Sequence, residues 1–349
     1  MVSHHWLTIA FVGGFVSDFI LLNQIDNVFD NLVLLFYVGL ATLSLVLFYV
    51  SVAERGPVWF VRFLSVSTPI AMQYAFGGLL SGMLIFYGRS SDLLVGAPFL
   101  ILILGVIIAN ELVKKRSERL LYNVSLYFTG VFSYAVLIVP VWLGKMGDWV
   151  FVGSGLLALF LTMFLIKLLK LIVPNYLTMQ KRFLVFSVGC LYVFFNTLYF
   201  TNIIPPIPLS LNRIGIYQSV EKVNTTYRIV MEERPWYEKL PWYPITFHPS
   251  GEGVACFAQV YAPTALTSTT IVHRWEKETP TGEWKEHTKL QYQISGGVEN
   301  GYRGYTTVTN ITSGRWRCSI ENERGQVLGR RTFTIDMSTG PDTLITVVE

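Results

Sequence analysis

The 349-residue chain is 52 % hydrophobic and only 14 % charged, whereas an ordinary soluble domain carries roughly 25 % charge. That balance excludes a chain solvated by water along its whole length. The formal charge of +4 comes from short basic clusters between apolar runs and not from a basic stripe with interleaved aromatics. Nucleic acid is therefore set aside as a partner, and the lipid bilayer takes its place.

Residues 1–203 read as an α-helical membrane bundle. A hydrocarbon core of about 30 Å takes about 20 apolar residues at about 1.5 Å each. Seven segments qualify as spans: Trp6–Leu22, Asn31–Ala53, Ser65–Tyr87, Leu93–Leu112, Leu121–Leu143, Trp149–Val173 and Phe183–Ile203. The first is the weakest, being short and interrupted by Asp18. Its opening, MVSHHWLTIAFVGGF, lacks the basic n-region of a cleavable signal peptide.

Loop charge predicts the orientation, because the cytoplasmic side retains Lys and Arg. One set of loops holds Arg55, Arg62, Lys114, Lys115, Arg116, Arg119, Lys167, Lys170, Lys181 and Arg182, and the other only Arg89 and Lys145. Placing the rich set inside predicts a multi-pass cell-membrane protein with a cytoplasmic N-terminus and everything after Ile203 outside. Trp6, Trp59, Trp142 and Trp149 fall near span ends, where indoles favour the interface.

Polar residues inside the spans are the bundle's functional candidates: Asp18, Gln73, Glu111 and Asn196. Asp18 either pairs with a polar group or lines a pathway. Alternatively, and more simply, the helix ends early and leaves Asp18, Asp26 and Asp30 in an outer loop or interface. Glu111 sits within a turn of Lys114 and Lys115 and reads as interfacial. Gly78 and Gly82 form a GxxxG pair that lets a second helix of the bundle approach closely.

At IIPPIPLSLNRIG, Pro205, Pro206 and Pro208 cannot continue a regular helix. Residues 204–252 read as a Pro- and aromatic-rich connector, with Tyr217–Pro249 as an irregular arm or first strand. From Gly253 the apolar period becomes two, the mark of half-buried strands. Val254, Cys256, Ala258 and Val260 share one face, as do Thr288, Leu290, Tyr292 and Ile294, and Trp316, Cys318 and Ile320. Strands are predicted near 227–231, 253–261, 269–277, 287–294, 302–309, 315–321 and 327–336. Turn sequences such as TPTGEW and NERGQ separate them. The fold class expected for 253–349 is an all-β, immunoglobulin-like antiparallel sandwich.

Several residues in this region carry recognition chemistry. Tyr302, Arg303 and Tyr305, with His273, Trp275 and Trp316 on nearby strands, offer flat rings and a forked donor for a sugar, a peptide or a lipid headgroup. The competing reading puts Trp275 and Trp316 in the sandwich core. The glycines of SGGVENGYRGY lack the GxxxxGK[ST] phosphate-loop pattern and read as a turn, with Gly296, Gly297 and Gly301 supplying positive φ.

Catalytic motifs are missing. His248, His273 and His287 are available as bases, but no GxSxG or HExxH accompanies them. Cys190, Cys256 and Cys318 show no CxxC spacing, so neither a metal nor another cofactor is expected. Cys256 and Cys318 fall on inward faces in an oxidising compartment. They are either two buried thiols or a disulfide contributing on the order of 4 kcal/mol in the chain-entropy model.

The pieces HRW (273–275), ISGGVENGYRGYT (294–306) and GRWRCSIENERGQVLGRRTFTI (314–335) resemble a bacterial family catalogued as domain of unknown function 2914, over about Val254–Ile335. The upstream IPPIPLSLNRIGIYQSVEKV is similar to the connector after the membrane helices in such proteins. The resemblance implies a hydrophobic multi-span region joined to this module, and it carries no activity. The expected function is a cell-envelope binding or sensory protein, its partner an envelope glycan, peptide or protein. The alternatives are a membrane-embedded enzyme or transporter working through Asp18, Gln73 and Glu111, and a structural envelope protein.

Overall fold

The computed structural model describes residues 4–22, 27–90, 93–112, 119–224, 226–236, 243–251, 253–266, 268–296, 301–341 and 343–348. The chain forms a helical unit that ends at Pro208 and a β unit built on Leu209–Glu349.

The helical unit has seven helices: α1 His4–Leu21, α2 Val28–Val52, α3 Val58–Ser90, α4 Leu93–Leu112, α5 Leu120–Leu143, α6 Asp148–Ile172 and α7 Pro174–Phe200. Five of them, α2, α3, α5, α6 and α7, are long and apolar enough to cross a membrane. Among the described residues, α1 and α4 contribute the shorter apolar stretches Val12–Leu21 and Gly96–Ile108.

Local chemistry sets several helix ends. The Asn27 side chain accepts from Phe29 N–H and caps α2. Gly144 at φ 60° ends α5 in the left-handed conformation. Pro174 opens α7, where its missing N–H costs nothing.

Helix α5 is apolar all round and packs against α2, α6 and α7, so nearly its whole surface is enclosed. The outer faces of α6 and α7 instead expose Leu156, Phe160, Phe164, Phe183, Phe186 and Val193. An exposed apolar surface of this kind is compatible with a membrane.

The α1–α3 contact is made by missing side chains. A Cβ on Gly14 would stand 2.7 Å from the Tyr74 carbonyl oxygen and 3.1 Å from Gly78 N. One on Gly78 would stand 2.4 Å from the Tyr37 ring, and one on Gly82 would stand 2.7 Å from Leu34. The GxxxG pair thus serves packing inside the helical unit, with α1 and α2 both brought against α3.

The β unit contains β1 Ser210–Tyr217, β2 Ser219–Val223, β3 Thr226–Glu232, β4 Ile245–Phe247, β5 Gly253–Tyr261, β6 Thr269–Glu278, β7 Trp284–Ile294, β8 Tyr302–Thr309, β9 Gly314–Asn322, β10 Val327–Ile335 and β11 Leu344–Val348. They form three sheets, ordered β1-β5-β8, β4-β10-β9-β6-β7 and β11-β3-β2. All neighbours are antiparallel except β4 and β10. Val254, Cys256, Ala258 and Val260 of β5 are all buried, on the face that meets the five-stranded sheet. On the other face of β5, Ala255 and Phe257 pack with Tyr217, Val220, Tyr227 and Ile229, which brings in the third sheet.

This corrects the domain boundary expected at 253. Residues 209–252 contribute β1 to β4 to the β unit, and of these β3 matches the strand expected near 227–231. Tyr237 and Trp242, which the arm reading included, lie outside the described residues. Two local features hid β1 and β4. A register shift between Leu211 and Arg213 breaks the alternation of β1, and β4 is only three residues long.

Candidate functional site

In the β core, Cys256 of β5 and Cys318 of β9 form a disulfide spanning 62 residues, with Cα atoms 6.6 Å apart. Trp275 stands directly opposite Cys318 in the β6–β9 register. Trp275 Nε1–H donates to Thr306 Oγ1 at 3.0 Å. His273 Nδ1 meets the same oxygen at 2.9 Å, and its Nε2 meets the Tyr292 hydroxyl at 3.0 Å. Burial pushes the His273 imidazole down to about 3, so it sits in the core neutral with both nitrogens occupied.

These placements divide the expected recognition face. His273, Trp275 and Trp316 are 0 %, 0 % and 1 % exposed and are core residues, out of reach of any ligand. The Trp316 indole donates to the Thr312 carbonyl at 2.8 Å. Tyr302, Arg303 and Tyr305 remain half-buried on β8. Thr306, the junction of the buried network, was not singled out from the sequence; its position two residues from Gly304 on an inward face was the available signal.

Cys256, His273 and Cys318 offer ligand atoms within 4.8 Å of one another. The set does not fit a metal, because the two sulfurs are bonded to each other and the imidazole nitrogens are engaged by hydroxyls.

On the face of the β1-β5-β8 sheet that also carries Phe257, Arg213 pairs across to Gln259 and Gln259 to Arg303. Directly opposite residues share a face, so the three form a row across β1, β5 and β8. Arg213 donates to the Tyr217 hydroxyl at 2.9 Å. Tyr227 donates to the Arg303 carbonyl at 2.9 Å and meets Tyr305 edge-on. Sequence pattern found Arg303 and Tyr305 here and missed Arg213, Gln259 and Tyr227, which come from strands paired only by the fold.

A cavity of about 500 Å³ opens beside β3 and β4. Glu232, Arg234, Tyr243, Thr246 and His248 line it, together with Pro235 and Pro244. Glu232 organises this wall. Its Oε1 accepts from the His248 backbone N–H at 2.8 Å and from Gln218 Nε2 at 3.2 Å, and its Oε2 accepts from Arg234 at 3.0 Å. Arg234 also donates to the Thr246 carbonyl at 3.1 Å.

Because β4 is an edge strand, these side chains also satisfy backbone groups that would otherwise invite another strand. Of this wall, sequence reading named only His248 as a candidate and Tyr243 as part of an aromatic segment.

The outer face of the five-stranded sheet neutralises itself. Arg317 makes two bonds to Glu276, Arg315 two to Glu278, and Arg274 bridges Glu286 and Glu321. Arg317 and Arg315 also lie over the Trp284 ring. Burial works against an ionised Glu276, but the bonds and charge of Arg317 outweigh it and hold that carboxyl below the usual range. Much of the charge on this face is thus paired within it.

Within the helical unit the expected outer-loop position of Asp18 is corrected. Helix α1 continues to Leu21, and Asp18 is fully buried, accepting from Tyr37 Oη at 2.6 Å and hydrogen-bonded to Ser81 Oγ. Gln73 is fully buried in α3. Asn196 bonds the Tyr192 carbonyl of its own helix at 2.8 Å. Glu111 belongs to α4, and its side chain lies outside the described residues, as does Asp26.

No curated protein matches this chain. Among solved structures, an immunoglobulin-like protein from Pseudomonas aeruginosa is similar at 12 % identity over 37 % of this chain and 96 % of its own length, with a TM-score of 0.21. The Pseudomonas fluorescens alkylpurine DNA glycosylase AlkC, bound to DNA containing an abasic site analog, is similar at 10 % identity over 84 % and 82 %, with a TM-score of 0.20. At those scores neither carries an argument about fold or function. Residues 268–335, the stretch from β6 through β10, match the family described as "Protein of unknown function (DUF2914)", and the β unit therefore carries a C-terminal module of that family.

Proposed function

We propose that this is a multi-pass membrane protein of the cell envelope whose β domain, held outside the cytoplasm, recognises an envelope ligand. In this reading all seven helices cross the bilayer with the N-terminus inside, an orientation supported by the basic loops. The β domain is then an immunoglobulin-like sandwich, a reading supported by the disulfide joining two of its sheets.

The cavity of about 500 Å³ is the observation that carries the recognition reading. Small-ligand sites fall within roughly 300–1,000 Å³ and combine apolar walls with a few fixed polar groups. Pro235, Pro244 and Tyr243 provide flat apolar faces, and Arg234, bonded to Glu232, the His248 ring, 3.8 Å from the same carboxylate, and Glu233 provide polar groups. This chemistry suits a glycan or a short peptide.

The test uses the full chain in lipid nanodiscs against an array of envelope glycans and peptides. Binding is expected, weakened at least about tenfold, or about 1.4 kcal/mol, by Tyr243→Ala, with the melting temperature unchanged. No binding at millimolar ligand defeats the reading. A membrane-embedded transporter or enzyme is the second reading, favoured by the burial of Asp18 among three helices.

A further inference from the structure

Among the described residues, the interior of the helical unit holds an acid with no base paired to it. Among the described residues no Lys, Arg or His forms an ion pair with Asp18, which is completely buried. Its partners are two hydroxyls, Tyr37 Oη on α2 and Ser81 Oγ on α3. The other charged side chains described on these elements are Asp30 of α2 and Arg62 and Arg89 of α3, and none of them bonds it. Arg89 donates to the Leu22 carbonyl beyond the end of α1 at 3.1 Å. Tyr74 lies nearby, edge-on to Tyr37 and 3.4 Å from Ser17 Oγ.

Counting hydrogens favours the neutral acid. A seryl hydroxyl has one hydrogen, yet Ser81 Oγ faces both Asp18 Oδ2 and the Gly78 carbonyl, the latter at 2.9 Å. Were Asp18 a carboxylate, that one hydrogen would have to be shared between two acceptors, as the Ser17 hydroxyl shares its own between the Gly13 and Gly14 carbonyls. With a proton on Oδ2 the chain closes. Oδ2–H donates to Ser81 Oγ, the Ser81 hydroxyl donates to Gly78, and the Tyr37 hydroxyl donates to Oδ1. Every polar atom is satisfied and no net charge is buried, whereas an unpaired ion in this interior would be costly.

We propose that Asp18, Tyr37 and Ser81 form a proton-binding site where α1 meets α2 and α3, with the neutral acid as the occupied state. The α1–α3 approach through Gly14 and Gly78 places the two side chains of the relay, Asp18 and Ser81, one turn farther along each helix. This inference is independent of ligand recognition by the β domain.

Infrared spectroscopy of the full chain in lipid nanodiscs tests it at neutral pH. The carbonyl stretch of a protonated carboxyl is expected, shifted in heavy water as the proton exchanges and lost in Asp18→Asn. Spectra in which Asp18→Asn removes only carboxylate bands, or a carbonyl band that heavy water never shifts, overturn the proposal.

Stability is the second readout. In Asp18→Asn the amide supplies the same donor to Ser81 and the same acceptor to Tyr37, so the wild-type melting temperature is expected to be kept, while Asp18→Leu loses it. An Asp18→Asn loss equal to that of Asp18→Leu sinks the idea. So does a sodium-dependent rise in wild-type melting temperature that Asp18→Asn lacks, because the ligand would then be a metal cation.

Discussion

The β core and the α1–α3 interior both bury polar groups, and they do so by opposite means. Around Thr306 the buried groups are neutral, with Trp275, His273 and Tyr292 sharing hydrogen bonds inside a shell of large aromatic side chains and a disulfide. Around Asp18 the buried group is an acid, and the helices meet where side chains are absent, at Gly14 and Gly78. In water, apolar area drives the sheets together and polar atoms are accommodated within it. In lipid, where the proposed function sets the helices, that drive is missing, so close backbone approach and hydrogen bonds hold helices together.

If this comparison is right, the largest loss should come from volume in the β core. Trp275→Ala empties a fully buried site and leaves Thr306 without one donor. It should cost about 3–5 kcal/mol, measured as a shift in the denaturant midpoint of the β-domain transition. Cys256→Ala with Cys318→Ala removes the covalent pin and should cost about 2–4 kcal/mol, read in the same way. A double mutant that unfolds at the wild-type midpoint would mean the sheets are held by packing alone.

The helical unit should answer to a methyl group instead. In Gly78→Ala the new Cβ meets the Tyr37 ring, which must move and loosen its bond to Asp18. About 1–3 kcal/mol of destabilisation is expected, appearing in the thermal transition of the bundle and not in that of the β domain. Equal loss from both transitions would erase the contrast.

Acid provides a finer probe of the β core. Burial lowers the folded His273 pKa from 6.5 to about 3, so between those values the unfolded chain binds the extra proton. The stability this contributes is complete above pH 6.5 and falls as pH drops toward 3, by up to about 1.4 kcal/mol per pH unit. His273→Gln should flatten that slope in denaturant melts taken from pH 7 to pH 4. An unchanged slope would assign the acid sensitivity to other groups.

How much of this was legible in advance depended on whether a feature repeats locally. The long apolar runs show up as helices, and the alternation from Gly253 onward shows up as strands. Alternation also put Trp275 and Cys318 on inward faces. It could not say that β1, with its irregular register at Leu211/Arg213, would pair with β5 and set Arg213 in line with Gln259 and Arg303. The cavity wall joins Glu232, at the end of β3, to His248, just after β4, and no local period records such a meeting. Asp18 was misplaced for a similar reason: an acid in a short apolar helix looks like an end until Tyr37 and Ser81, from two other helices, are set beside it.

The smallest effect should come from the charged outer face of the five-stranded sheet. Arg315 holds Glu278 through two bonds at 2.9 and 2.8 Å, yet its side chain is 56 % exposed. Water screens such a pair, and ordering the long side chain offsets part of what remains. Arg315→Ala should therefore shift the β-domain midpoint by only about 0.2–1 kcal/mol. Arg317, 16 % exposed against a Glu276 that is 10 % exposed, should cost more, because removing it strands a shielded carboxylate. If Arg315→Ala proved as damaging as Arg317→Ala, burial would not be what ranks these pairs, and solvent screening would not explain why the exposed one is weak.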